Sequence, residues 1–223
     1  MNRRLRPVLL LLLAWITSTA ALFQGCDLFA PRVPQRPSQA GVLTSYVEPD
    51  STLATLRRAI EAKAGSNALS AYLGGLATST TDGQDFNAVF DPGVVAGWAS
   101  VTGRQPPDTW GAALEERLFG HLPSLSGKNY VFDWLTDIQH PNDDDTGPNS
   151  KIVHRQYMLR AIPDGAGVVD TLVIGYADLA FLHSLTTDKW VIAVWSDRVD
   201  PAVGVNPVNK IMLSYSARRL EVY

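Results

Sequence analysis

The sequence predicts an α+β domain in which N-terminal helices come first and a strongly curved antiparallel sheet follows. Between residues 50 and 120, apolar residues recur at the three- and four-residue spacing of amphipathic helices. From residue 128 onward the spacing changes to two, which is the period of a strand. The connecting turns are short and rich in Gly, Asn, Asp and Pro, so consecutive strands are expected to pair antiparallel. This order of elements packs the helices on one face of the sheet.

The helical half begins with a helix that opens at Asp50, a favourable capping residue, and stops at Gly65. A second, short helix is predicted between residues 67 and 74, and a short strand between residues 84 and 91. Pro92, which suits the first turn of a helix, is expected to start a short helical turn.

A further helix is predicted after Asp108, which is expected to cap it. Its apolar side is formed by Trp110, Leu114 and Leu118, so Trp110 is expected in the core. Its other side carries Glu115, Glu116 and Arg117, which are expected to face water.

The sheet half is predicted to contain strands over residues 128–140, 152–162, 168–182, 190–197 and 210–222. The strand over 190–197 is the clearest, because apolar residues alternate on both of its faces and both faces are therefore expected to be covered. The strand before it carries Gly175 in its middle, where glycine often marks a bulge or a close approach of other backbone. Together these two strands predict a curved hairpin.

The first 25 residues have the layout of a secretory signal peptide. A basic start with Arg3, Arg4 and Arg6 precedes an uninterrupted apolar run of nine residues, 8–16, and a small, semi-polar segment. A membrane-spanning helix needs about 20 apolar residues, so a permanent span is the weaker interpretation.

The segment that ends at Cys26, Leu-Phe-Gln-Gly-Cys, resembles the lipobox of bacterial lipoproteins. That resemblance implies that the Cys26 sulfur receives a diacylglycerol, that residues 1–25 are removed and that the new amino terminus is acylated. Two or three acyl chains would anchor the chain stably in a lipid membrane. The alternative is ordinary secretion with an unpaired thiol, since a single cysteine cannot form an internal disulfide.

Residues 26–49 are predicted to form a tether, because Pro31, Pro34 and Pro37 recur every third residue and favour extended backbone. Residues 50–223 would then form a single domain in the cell envelope, facing the periplasm or the exterior. Asp27 resembles the inner-membrane retention signal of some bacterial envelopes, but it does not decide between the inner and the outer membrane.

The charge balance argues against a nucleic-acid partner. Of the 19 basic residues three precede Cys26, which leaves 16 basic against 22 acidic residues, a net charge of −6, from Cys26 onward. Binding of nucleic acid depends largely on neutralising phosphates, and the chain has no basic cluster to do so.

The C-terminal half resembles the lipoprotein members of the nuclear transport factor two-like superfamily, a cone-shaped α+β fold. The resemblance rests on the glycine-bent stretch from Gly175 to Phe181, followed by the W-x-I-x-x-W-x-D pattern from Trp190 to Asp197. The superfamily uses the cavity between sheet and helices for enzymes, for ligand carriers and for protein contacts, so the fold does not select one of these.

Candidate polar residues of such a cavity are His154, Asp178 and Asp197. His154 and Asp178 lie on neighbouring predicted strands, and a His–Asp pair in the cone interior would resemble the acid–base pair of the superfamily's dehydratases. The favoured alternative is a polar pair that only satisfies its own hydrogen bonds, or two residues that face solvent. Asp197 ends its strand and is suited to act as a general base, to cap a turn or to pair with Arg198.

No catalytic residue, cofactor or metal site is indicated by the sequence. The four histidines lack HxH, HxxH and HExxH spacing, and GxSxG does not occur. The acidic run Asp143 to Asp145 lacks the alternating spacing of a calcium loop, so a solvated hairpin is expected there.

The expected role is therefore that of a membrane-anchored, non-catalytic domain that binds a small apolar ligand or an envelope protein. Two alternatives stay open. One is a cavity enzyme with dehydratase- or isomerase-like acid–base chemistry, and the other is a structural envelope protein that forms a homodimer through its sheet.

Overall fold

The computed structural model describes residues 42–62, 67–125, 129–163, 168–200 and 214–223. The predicted signal peptide, Cys26 and the tether up to residue 41 lie outside the described residues, as does the segment 201–213. None of the helices in the described ranges combines the length and the apolar character needed to cross a membrane.

Six α-helices are described, here numbered in chain order. They are α1 (Pro49–Ala62), α2 (Ala68–Leu73), α3 (Ser79–Asp82), α4 (Pro92–Thr102), α5 (Ala112–His121) and α6 (Tyr215–Glu221). A 3-10 turn, Leu122–Leu125, continues α5. Apart from α6, the described helices all precede residue 128, where the spacing of apolar residues changes to that of a strand.

The described strands form one six-stranded sheet: β1 (Asn87–Val89), β2 (Asn129–Thr136), β3 (Asp144–Gly147), β4 (Ser150–Ile162), β5 (Asp170–Ser184) and β6 (Lys189–Arg198). Their order is β1-β6-β5-β4-β2, with β3 paired to β4. All pairs are antiparallel except the parallel pair of β1 and β6. The predicted α+β fold class is confirmed. Asp144 and Asp145 of the acidic run lie in an exposed hairpin through β3, as expected, whereas Asp143 is partly buried and pairs with Arg155.

Gly175 is required by close contacts across the sheet. It lies opposite Tyr157 in the pairing of β5 with β4. A Cβ atom at this position would lie 2.8 Å from the carbonyl oxygen of Arg198 and would overlap the hydroxyl of Tyr157. The expectation of a close backbone approach at Gly175 is therefore confirmed.

The main core lies between the helices and one face of the sheet. Its helical side includes Leu53, Leu56 and Ile60 of α1, the stripe that the sequence predicts. On β4 the alternating residues Val153, Tyr157, Leu159 and Ala161 belong to this core, so the intervening residues point to the opposite face of the sheet.

The final stretch of the chain differs from the prediction. The strand expected over residues 210–222 is wrong for its described part, because Tyr215–Glu221 form the helix α6. Ser214 caps this helix by accepting a hydrogen bond of 3.1 Å from the Ala217 N–H. So short an apolar pattern fits either period, and packing against the core decides for the helix.

Two details of the helical half also differ. Helix α5 begins after Gly111 rather than after Asp108, and Glu115 is completely buried rather than exposed to water.

The last residues of the predicted tether lie against the domain. The backbone carbonyl oxygen of Tyr46 accepts a hydrogen bond of 2.7 Å from the Trp190 N–H, and the Tyr46 hydroxyl donates to the Ala71 carbonyl oxygen.

Candidate functional site

His154 and Asp178 form the pair that the sequence predicts. They are direct partners in the register of β4 and β5, and His154 Nδ1 lies 2.7 Å from Asp178 Oδ1. Both residues alternate with core residues such as Val153 and Ala177, so their side chains point away from the main core. Strand alternation therefore places the pair on the sheet face opposite the interior, where it is a hydrogen-bonded polar pair and not an acid–base pair inside the cone.

Residues of the β2–β3 connection and of β3 lie against the His154–Asp178 pair. His154 Nε2 lies 3.3 Å from Asp144 Oδ2, and the ring of His140 stacks on that of His154 with 5.1 Å between centroids. On the other side, Arg198 donates to both oxygens of Asp178 at 2.9 and 3.1 Å and to Asp137 Oδ2 at 2.8 Å. Through Asp137, this hydrogen-bond network links the β2–β3 connection to the sheet.

The electrostatics of this network favour the charged forms of His154 and Asp178. Burial alone would lower the pKa of His154, but the hydrogen bonds with Asp178 and Asp144 outweigh it and raise that pKa above its usual value. Burial alone would raise the pKa of Asp178, but hydrogen bonds from His154 and Arg198 lower it. Both ring nitrogens of His154 lie within hydrogen-bond distance of a carboxylate oxygen, Nδ1 of Asp178 and Nε2 of Asp144.

Asp197 lies on the core face, apart from the other two predicted residues. It is the register partner of Ala177, a core residue, and it is itself buried. One carboxylate oxygen accepts a short hydrogen bond from the Tyr157 hydroxyl, and the other accepts one of 2.6 Å from the Ser216 N–H. Burial raises the pKa of Asp197, although Arg219 and these hydrogen bonds act against it. Asp197 thus holds the first turn of α6, and Arg198 pairs with other carboxylates.

Glu115 is a second interior carboxylate, which the sequence-based interpretation missed. Its Oε1 accepts a hydrogen bond of 2.7 Å from the Tyr72 hydroxyl, and its Oε2 accepts one of 2.6 Å from the Trp110 indole N–H. The guanidinium of Arg219 donates to both oxygens, from Nε at 3.0 Å and from Nη2 at 3.1 Å. Both members of this ion pair have 0% exposed side-chain surface.

An aromatic ring completes the surroundings of Arg219. Its Cζ lies 4.7 Å from the centroid of the Trp195 ring, a cation–π distance. We call the set Tyr72, Trp110, Glu115 and Trp195 the Glu115 cage. The sequence did contain a signal for it, since Glu115, Leu118, Phe119 and Leu122 share the i, i+3, i+4, i+7 stripe of one helix face.

A pocket of about 280 Å³ opens beside the β5–β6 turn, and its lining includes Asp82, His183 and Ser184. None of His154, Asp178, Asp197 and Glu115 lines it. Within the described part of the chain, no group of three or more His, Cys, Asp or Glu side chains is placed to hold a metal ion.

Comparisons with known proteins give similarities of structure alone. No family model matches the chain, and no curated protein matches it either. Among solved structures, a protein of unknown function from Mycobacterium tuberculosis has a TM-score of 0.46 and 12% identity over 78% of this chain and 85% of its own.

Two further solved structures carry names that mention a dehydratase. A candidate dehydratase of the NTF2-like family from Streptomyces avermitilis has a TM-score of 0.44 and 13% identity over 67% of this chain and 97% of its own. A candidate scytalone dehydratase from Novosphingobium aromaticivorans has a TM-score of 0.45 and 7% identity over 67% of this chain and 79% of its own. With such identities and TM-scores below 0.5, nothing about activity, substrate or partner follows for this chain.

Proposed function

We propose that this chain is a lipid-anchored protein of the bacterial envelope whose domain binds a protein partner and has no catalytic role. The anchoring part of the proposal rests on the leader and on Cys26 in its lipobox-like setting. The proposal also includes membership of the nuclear transport factor two-like superfamily. It is supported by the strand pattern from Trp190 to Asp197 and by helices that precede the antiparallel strands β2 to β6.

The observation that favours binding over catalysis is the way α6 fills the interior. Tyr215 and Arg219 of this helix are completely buried and contact Trp195, Tyr157 and Glu115. An acid–base catalyst needs a titratable group that a substrate can reach. The interior carboxylates Asp197 and Glu115 are instead covered by the chain's own side chains.

The same observation favours a protein partner over a small apolar ligand. A ligand pocket needs empty, mostly apolar space. Side chains of α6 occupy the interior between the sheet and the other helices. The opposite face of the sheet carries a charged network around Arg198 that is partly open to solvent. Polar, partly solvated surface of this kind suits the rim of a protein–protein contact.

The anchoring is tested with the full-length chain and its Cys26→Ser variant expressed in a bacterial host. We expect the natural chain in the membrane fraction, with an N-terminal peptide that starts at an acylated Cys26, and the variant released from membranes. If the variant still partitions wholly with membranes and keeps residues 1–25, the proposed anchoring is wrong.

The binding role is tested by crosslinking in intact cells, followed by mass spectrometry of the crosslinked products and of lipid extracted with the purified protein. A specific envelope protein supports the proposal. Stoichiometric extracted lipid would overturn it in favour of a small apolar ligand, and a self-crosslinked species of twice the mass would overturn it in favour of a homodimer through the sheet.

A further inference from the structure

Unpaired polar atoms concentrate where α6 docks into the interior. Within the described residues, six buried side-chain nitrogen or oxygen atoms have no hydrogen-bond partner. Three of them, Tyr215 Oη, Arg218 Nε and Arg219 Nη1, belong to α6, and a fourth, Trp195 Nε1, belongs to the strand residue on which Tyr215 packs. Buried donors without hydrogen-bond partners are unfavourable. The hydrogen bonding of buried polar atoms is therefore less complete where α6 docks than in the rest of the described core.

The Glu115 cage itself does not need α6. Tyr72 comes from α2, Trp110 precedes α5, Glu115 is in α5 and Trp195 is in β6. Each oxygen of Glu115 already accepts one hydrogen bond from Tyr72 or Trp110, which holds the carboxylate in position. The cage is therefore a prepared acceptor, and α6 contributes the cation that occupies it.

The chemistry of the cage matches a guanidinium group more closely than an ammonium group. A guanidinium is a planar fork that donates to both oxygens of one carboxylate and stacks on an aromatic face. Arg219 makes both contacts, with Glu115 and with Trp195. An ammonium is a compact, strongly hydrated point charge that loses more solvation on burial and cannot make the same bidentate contact.

We propose that the Glu115 cage is a binding site for a guanidinium group and that Arg219 occupies it as a ligand tethered in the same chain. The guanidinium of another molecule takes the place of Arg219 when α6 undocks. Its source is a small free guanidinium compound or an arginine side chain of a peptide. This site does not depend on membrane anchoring or on the partner proposed above, and its test is separate from theirs.

Arg218 provides a matched control for Arg219. It is the neighbouring arginine on the same helix, but it donates to Glu221 and to the carbonyl oxygen of Leu172 and makes no contact with the cage. Replacing either residue with alanine removes the same group from α6, and only Arg219→Ala empties the cage.

The first experiment measures the melting temperature of the full-chain variants Arg219→Ala and Arg218→Ala with methylguanidinium or with methylammonium at equal ionic strength. At ten times its Kd, methylguanidinium should raise the melting temperature of Arg219→Ala by about 3–6 °C. Methylammonium should not, and Arg218→Ala should respond to neither. Equal rescue by both cations, or no rescue, would overturn guanidinium selectivity.

The second experiment follows hydrogen exchange of the α6 amides in the natural chain. A ligand that binds only the undocked form raises its population about tenfold at ten times its Kd, so exchange in residues 215–221 should accelerate by that factor. Two ligands are compared. Methylguanidinium is tested against methylammonium as its control, and a synthetic peptide of residues 214–223 is tested against the same peptide with Arg219→Ala. Acceleration by methylguanidinium identifies a small compound as sufficient, and acceleration by the peptide alone identifies an arginine peptide. Unchanged exchange with both overturns the proposal.

Discussion

At the residue scale, the interior is organised by one buried ion pair. Glu115 and Arg219 are 104 positions apart in the sequence, and each is removed from water. Taking two charges out of water is expensive, and the cost is offset only when geometry and further hydrogen bonds are good. Here Tyr72 and Trp110 provide those further hydrogen bonds to the carboxylate.

The variant Glu115→Gln should therefore lower the free energy of unfolding by about 3–5 kcal/mol, because it leaves the buried Arg219 charge without the carboxylate that it is hydrogen-bonded to. Urea denaturation measures this loss. The neighbouring Glu116 is exposed, so Glu116→Gln should change the same quantity by no more than about 0.5 kcal/mol. Equal effects of the two substitutions would show that the ion pair does not stabilise the fold.

His154 gives the fold a dependence on pH. Its pKa is raised in the folded protein above the usual value of about 6.5, because the hydrogen bonds with Asp178 and Asp144 outweigh burial. A group of this kind stabilises the folded state fully below its unfolded pKa, and the contribution is lost as pH rises through the folded pKa. The free energy of unfolding should therefore fall over the pH range above about 6.5.

The carboxylate partner can be checked directly. In Asp178→Asn the NMR titration midpoint of the His154 ring should decrease, because the carboxylate 2.7 Å from Nδ1, which favours the protonated ring, is replaced by a neutral amide. Asp145 is the matched control, since its side chain is 86% exposed and pairs with Lys151 at 3.7 Å. A midpoint that moves equally in Asp178→Asn and Asp145→Asn would contradict this assignment.

At the scale of elements, strand β5 depends on a residue without a side chain. Gly175 lies where the Tyr157 ring and the β6 backbone approach most closely. The same contact holds Tyr157 in place to donate to Asp197 and to accept from the Tyr215 N–H at 3.1 Å. The glycine of β5 therefore positions the groups on which α6 docks.

Gly175→Ala should lower the free energy of unfolding by about 1–3 kcal/mol or more, because the added methyl group overlaps Tyr157 and approaches the Arg198 carbonyl. Gly120→Ala in α5 should instead raise it by about 0.5–1 kcal/mol, because the added Cβ meets no atom within 4 Å and alanine favours a helix. Thermal or urea unfolding compares the two. A neutral Gly175→Ala would mean that the sheet adjusts at this point.

At the scale of the whole molecule, α6 closes the interior that the sheet and the other helices form. A chain that ends at residue 213 loses Arg219 and leaves Glu115 with two of its four hydrogen bonds. Its melting temperature should fall by about 6–20 °C, as expected for an uncompensated buried charge in a domain of this size.

Differential scanning calorimetry measures this fall, and tryptophan fluorescence reports the exposure of Trp110 and Trp195. Removal of Tyr223 alone is the control: it leaves α6 intact, and its side chain is already 38% exposed, so the melting temperature should change by no more than about 2 °C. An unchanged melting temperature in the longer truncation would contradict the closing role of α6.

Local patterns in the sequence predicted that most helices precede the strands after residue 128, that α1 buries one stripe, that Trp110 lies in the core and that other backbone approaches Gly175 closely. These follow from periodicity and from the properties of single residue types, which are local. The sequence also placed His154 and Asp178 on neighbouring strands, and the register of β4 and β5 makes them direct partners.

Three features depend on packing between elements: the side of the sheet that each candidate residue faces, the burial of Glu115 and the helix formed by residues 215–221. A strand pattern with two apolar faces does not say which face meets the helices. Burial of Glu115 depends on Tyr72, Trp110 and Arg219, which lie on separate elements. The helix stripe that Glu115 shares with Leu118 shows which side of α5 is buried, but the partners of Glu115 come from elements distant in the chain, which a local pattern does not identify.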